Sequence, residues 1–176
     1  MGKPMTKILP LLLWFTSMLA AQQPAPQANP CTASQQKQFD FWVGEWDLTW
    51  PGKKPGESGH GTNNIKRIMD GCVVQENFSG GDAHLRGTSV STFDLTSNEW
   101  KQTWVDNEGG YLDFVGEFKD SQMILQREAT VSGKKILQRM VWKNITSSDL
   151  DWSWESSSDG GKTWQVNWPI HYKRVR

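Results

Sequence analysis

The stretch Phe39-Asp40-Phe41-Trp42-Val43-Gly44-Glu45-Trp46-Asp47-Leu48-Thr49-Trp50 constrains the fold more than any other part of the chain. Trp42, Trp46 and Trp50 recur at every fourth position, which places them on one face of either a helix or a strand. The residues between them separate the two cases. Gly44 and Leu48 share the even positions with the tryptophans, while Val43, Glu45, Asp47 and Thr49 hold the odd ones. Apolar or small side chains therefore alternate with mostly polar ones, and Gly44 and Thr49 disfavour a helix. The pattern predicts a strand over 43–50. The polar run Ser34-Gln35-Gln36-Lys37-Gln38 before it predicts one or two helical turns leading in.

Beyond Trp50, residues 51–59 read as a loop by composition, and short β-prone runs then alternate with turn signals. The runs are 61–69, 72–78, 86–93, 100–105, 111–118, 123–131, 135–142, 150–154 and 163–172. No segment after Phe41 carries a helical period long enough for a full helix, which excludes architectures with crossover helices. A meander of hairpins has to hide its edges, and closing on itself does so. The expected fold is therefore all-β: an antiparallel up-and-down barrel of about ten strands with a short N-terminal helical turn, a two-sheet sandwich being the alternative. A barrel of that size encloses either packed side chains or one small ligand. The segment Ser157-Ser158-Asp159-Gly160-Gly161-Lys162-Thr163-Trp164 matches the Asp-box pattern of sialidase-type propellers, but it occurs once and a propeller needs a repeat in each blade. It is read as a hairpin turn stabilised by the Asp side chain.

Lys3 and Lys7 precede the apolar run 8–21, which ends in Leu19-Ala20-Ala21. This is the pattern of a secretory signal peptide over 1–21, too short for a stable membrane span, and it predicts a secreted or periplasmic protein with no membrane association after cleavage. Residues 22–33 read as a disordered Pro/Gln-rich leader and 34–176 as one domain. Removing 1–21 takes away two of the 19 basic residues and none of the 19 acidic ones, leaving a net charge of −2. Without a basic face, nucleic acid is not an expected partner. The two cysteines, Cys31 and Cys72, both lie in the exported part, where a pair is expected to be bonded.

Several segments together resemble the secreted bacterial family called domain of unknown function 1579, in the lipocalin-like (calycin) barrel group. They are the 39–46 stretch with its Gly44-Glu45-Trp46 core, Asp70-Gly71-Cys72-Val73-Val74-Gln75-Glu76, Gly87-Thr88-Ser89, Trp100-Lys101-Gln102-Thr103-Trp104-Val105-Asp106 and Tyr172-Lys173-Arg174. The resemblance spans 39–174. It implies an antiparallel lipocalin-like barrel, in which a C-terminal basic residue, here Arg174, covers the G-x-W tryptophan, here Trp46. Barrels of the group commonly bind small apolar molecules, and the family has no established activity to carry over.

Strand alternation puts Glu76 on a face with Val74 and Phe78, and Gln102 and Asp106 on a face with Trp100 and Trp104. If these faces point inward, polar groups stand in an aromatic interior, either meeting Arg127 in a structural network or lining a wet cavity. The candidate ligand-binding residues are Trp46, Glu76, Gln102, Trp104, Asp106, Arg127, Trp154 and Tyr172. The expected partner is a small apolar or amphipathic molecule. An acid–base enzyme using Glu76 with Asp106 is a second reading, and a purely structural or interaction domain a third. No nucleophile elbow is present, and no catalytic residue is assigned. The histidines, His60, His84 and His171, lack metal-ligand spacing, so no metal or other cofactor is expected. Haem held by His171 is a further alternative, weakened because His171 shares its face with Thr163, Gln165 and Asn167, the side expected to point outward.

Overall fold

The computed structural model describes residues 29–175 together with Gly2. The expected signal peptide, Gly2 apart, and the leader up to residue 28 lie outside the described residues. Ten strands close into a barrel in which each is antiparallel to its neighbour in sequence and the last returns to the first. They are β1 (Gly44–Pro51), β2 (Ser58–Ile68), β3 (Val73–Ser79), β4 (Arg86–Asp94), β5 (Glu99–Asp106), β6 (Tyr111–Lys119), β7 (Gln122–Val131), β8 (Lys134–Lys143), β9 (Asp149–Ser157) and β10 (Gln165–Arg174). The sandwich alternative is thereby removed. No helix among the described residues is long and apolar enough to cross a membrane.

The chain enters β1 through a 3-10 helix at Ser34–Trp42, longer than the polar run alone suggested. Its buried residues are Gln36, Phe39 and Trp42, spaced three apart, and a helix of three residues per turn sets that spacing on one face. This face closes one end of the barrel. The Phe39 ring packs edge-on against Trp100 and Trp142, with centroids 4.8 and 5.3 Å away. Trp100 Nε1 donates to Gln38 Oε1, and Gln36 Nε2 donates to the Phe93 carbonyl. Arg67 of β2 holds the helix from the side, donating to Asp40 and to the carbonyls of Gly71 and Gln36. A disulfide joins Cys31 to Cys72. It ties the end of the leader, which forms a 3-10 turn at Pro30–Thr32, to the β2–β3 connection, where Asn29 Nδ2 also donates to the Asp70 carbonyl.

Closure runs through β1 and β10, where Trp46 pairs with Arg174 and Leu48 with Tyr172. The Arg174 guanidinium carbon lies 4.1 Å from the Trp46 ring centroid. Its nitrogens donate to the carbonyls of Val43, Phe41 and Ser147 at 2.7, 2.8 and 2.7 Å. Gly44 explains itself here: its φ is +140°, and a Cβ on it would come within 2.3 Å of Arg174 Nη1.

β2 begins at Ser58, three residues before the strand predicted from sequence. Gly59 closed the stretch 51–59 that reads as a loop by composition, but it and Gly61 sit under the Trp50 indole across the β1–β2 ladder. A Cβ on Gly59 would fall 2.0 Å from Trp50 Nε1. His60, just ahead of the strand expected over 61–69, therefore lies on β2. The 157–164 segment is a hairpin turn: Asp159 accepts from the backbone N–H groups of Lys162 and Thr163 and from the Thr163 hydroxyl.

Candidate functional site

With one end of the barrel plugged by the helix and the Phe39, Trp42, Trp100 and Trp142 rings, the interior of the other half is left to fewer and more separated side chains. A cavity of about 450 Å³ occupies it. Its aromatic wall is a chain of edge-to-face contacts: Trp104 on Phe78, Phe78 on Trp168, and Trp168 on Trp152, with centroids 6.0, 6.0 and 5.9 Å apart. Trp154 and Phe114 form a second such pair at 5.8 Å. Each comes from an inward position of its strand, so the wall follows directly from the period-two alternation.

The polar part of the lining starts at Glu76. Register across the sheet aligns Glu76 of β3 with Ser89 of β4, Ser89 with Trp104 of β5, and Trp104 with Leu112 of β6, a single row around the inner surface. Glu76 is 7% exposed. Its Oε2 accepts from Ser89 Oγ at 2.6 Å and its Oε1 from Asn63 Nδ2 at 2.7 Å. Asn63 Nδ2 also reaches the Tyr172 hydroxyl at 3.2 Å. Burial raises the Glu76 carboxyl to about 6, with the Ser89 and Asn63 hydrogen bonds opposing the rise. Burial, and then the nearby Glu76 charge, push the Tyr172 phenol above its ordinary range.

Asp106, at the end of β5, is committed differently. Its Oδ2 accepts from Trp104 Nε1 at 2.9 Å, and its Oδ1 accepts from the backbone N–H groups of Glu108 and Gly110. These bonds, led by that from Trp104, hold its carboxyl below the usual carboxylate range. Asp106 thus fixes both the Trp104 indole and the β5–β6 turn.

Arg127 stands at a seam. The β6–β7 ladder runs from Lys119 opposite Gln122 to Val115 opposite Gln126, and beyond it 111–114 and 127–131 are not paired with each other. Both edges of the seam contribute to the cavity lining, through Leu112 and Phe114 on one side and Arg127, Ala129, Thr130 and Val131 on the other. Arg127 Nη1 donates to Gln138 Oε1 at 3.0 Å, and its Nε lies 4.0 Å from Asp113 Oδ1. No salt bridge links Arg127 to Glu76 or Asp106 among the described residues, so the single structural network considered from sequence is not what joins these groups.

Of the residues singled out from sequence, Glu76, Trp104, Asp106, Arg127, Trp154 and Tyr172 line the cavity. Trp46 does not: it is fully buried at the closed end, beneath Arg174, with Nε1 donating to the Trp42 carbonyl. Gln102 also lies outside the lining, nearer the plugged end, where its Nε2 donates to Ser91 Oγ. His171 is exposed on the outer surface, 2.8 Å from Asp151. Alternation missed Asn63 and Ser89, the two residues that hold Glu76. Asn63 sits in the polar run Thr62-Asn63-Asn64, where no apolar neighbour marks the inner face, and Ser89 is one small hydroxyl among several. No protein-family model matches the chain, and no curated protein matches it.

Proposed function

We propose that this is an exported binding protein that holds one small, partly apolar molecule in the open half of its barrel. The observation that carries the reading is the cavity itself: about 450 Å³ of space among rings of Trp, Phe and Tyr, with a few polar groups placed at defined points. That size and mixture suit a small organic ligand, with the aromatic surface supplying affinity and the polar groups orientation. Export rests on the N-terminal sequence pattern and accords with the Cys31–Cys72 disulfide, a bond characteristic of oxidising compartments. The sequence resemblance to the secreted family called domain of unknown function 1579 agrees with export and adds no activity.

The acid–base reading is less well supported, because Asp106 already accepts three hydrogen bonds from the protein and serves as a turn anchor. Native mass spectrometry of protein purified from its own compartment tests the binding reading. A small molecule that stays with the folded chain and leaves on collisional activation is the expected result. A bare mass that takes up no added apolar probe would contradict it.

A further inference from the structure

Glu76 is the chemically unusual group in the cavity. A carboxylate taken out of water needs compensation, by a cation or by enough hydrogen-bond donors to fill its lone pairs. Glu76 receives two neutral donors, Ser89 Oγ and Asn63 Nδ2, and no Lys, Arg or His forms a salt bridge with it among the described residues. Asn63 Oδ1, buried beside it, meets no donor of the protein either. This part of the barrel therefore has an excess of acceptors. Phe78, Trp104, Trp168 and Tyr172 line the same cavity as Glu76, and the face of an aromatic ring attracts a cation rather than an anion.

We propose that the cavity is selective for a monocationic amine: a protonated amino group bonded to the Glu76 carboxylate, carried on an aromatic or aliphatic body that packs against the tryptophans. The inference rests on the binding reading above and gives it a ligand class. An ammonium supplies the N–H donors that the carboxylate lacks and the positive charge that the aromatic wall attracts. A second cationic centre on the same molecule would approach Arg127 at the seam and be repelled, so one charge suits the cavity better than two.

The charged and titratable groups around Glu76 leave a clear pH signature. Asn63 of β2 and Ser89 of β4 do not titrate, and Tyr172 of β10 stays neutral because its phenol is raised. Farther along the same cavity Asp106 of β5 stays ionised, being held low, and the remaining charged side chain of the lining is Arg127 of β7. Between weakly acidic and neutral pH, Glu76 is thus the group of the cavity lining that changes, and amine affinity should fall as it is protonated.

The test is a calorimetric or tryptophan-fluorescence titration of the full mature chain with three matched probes: phenylbutylamine, phenylbutanol and phenylbutyrate. At about pH 7.5 the amine should bind at least about tenfold more tightly than the alcohol, the scale of a charge-assisted hydrogen bond. That preference should shrink as the pH drops below about 6, while alcohol affinity stays level. Glu76→Gln should abolish the preference, bringing the amine down to about the affinity of the alcohol. Should that variant fail to fold, the wild-type pH profile alone decides. Equal affinity for amine and alcohol at neutral pH overturns the amine assignment and leaves the binding reading standing. Tightest binding of the carboxylate overturns it in favour of an anion at Arg127. If none of the three binds, both readings fall.

Discussion

Glu76 shows how one buried side chain couples the interior to pH. Its carboxyl is raised from 4.5 to about 6 by burial, so the folded chain holds that proton more tightly than the unfolded one does. The stabilisation from this group is complete below about pH 4.5 and is lost as the pH rises through about 6, a change worth about 2 kcal/mol. Glu76→Gln removes the titration and keeps a side chain able to meet both Ser89 and Asn63. Urea unfolding of wild type and variant at several pH values should therefore show wild type losing about 2 kcal/mol relative to the variant across that window. A difference that stays constant with pH would mean that the carboxyl is not desolvated. The position of Glu76 was legible from strand alternation, because Val74 and Phe78 flank it on the same face. Its partners were not, since Asn63 and Ser89 are small polar residues common on either face of a strand.

Among the elements, the junction of β1 with β10 decides whether the sheet closes. Only four residue pairs, from Trp46 with Arg174 to Thr49 with His171, make up that ladder. Arg174 reinforces it by stacking on Trp46 and binding three carbonyls of the 3-10 helix end and the β8–β9 turn. Arg174→Ala removes the stacking and strands those carbonyls, so it should lower stability by roughly 1–3 kcal/mol in a thermal or urea melt. A variant that melts like wild type would mean that the chain end contributes nothing to closure. This contact was expected from the sequence only through its resemblance to lipocalin-like barrels, which implies a C-terminal basic residue over the G-x-W tryptophan. The helix that plugs the barrel was only half legible: its polar first turn was visible, whereas its continuation through Phe39 to Trp42, just before the strand expected over 43–50, shows only in the three-residue spacing of its buried face. The start of β2 was hidden for the opposite reason. Glycines that make room for Trp50 have the same composition as glycines that make a loop.

At the scale of the whole molecule, the barrel divides into a packed half and an open half. The packed half holds Phe39, Trp42, Trp46, Trp100 and Trp142, each at most 1% exposed. The open half is bounded by Glu76 and the aromatic chain on one side and by the unpaired β6–β7 seam on another. Alternation could say which residues face inward but not how far along the barrel each lies, which is why Trp46 and Gln102 were grouped with residues of the cavity. That coordinate depends on the stagger between strands, which no local pattern records. A small molecule in the open half would leave the packed half undisturbed. Methyl NMR of protein labelled at Met, Ile and Leu, titrated with the neutral probe phenylbutanol, reads both halves at once. Met140, Ile170 and Leu112, which line the cavity, should shift or broaden, while Met123, Ile65 and Leu150 in the packed core stay in place. Shifts confined to exposed methyls, or spread evenly over both sets, would contradict it.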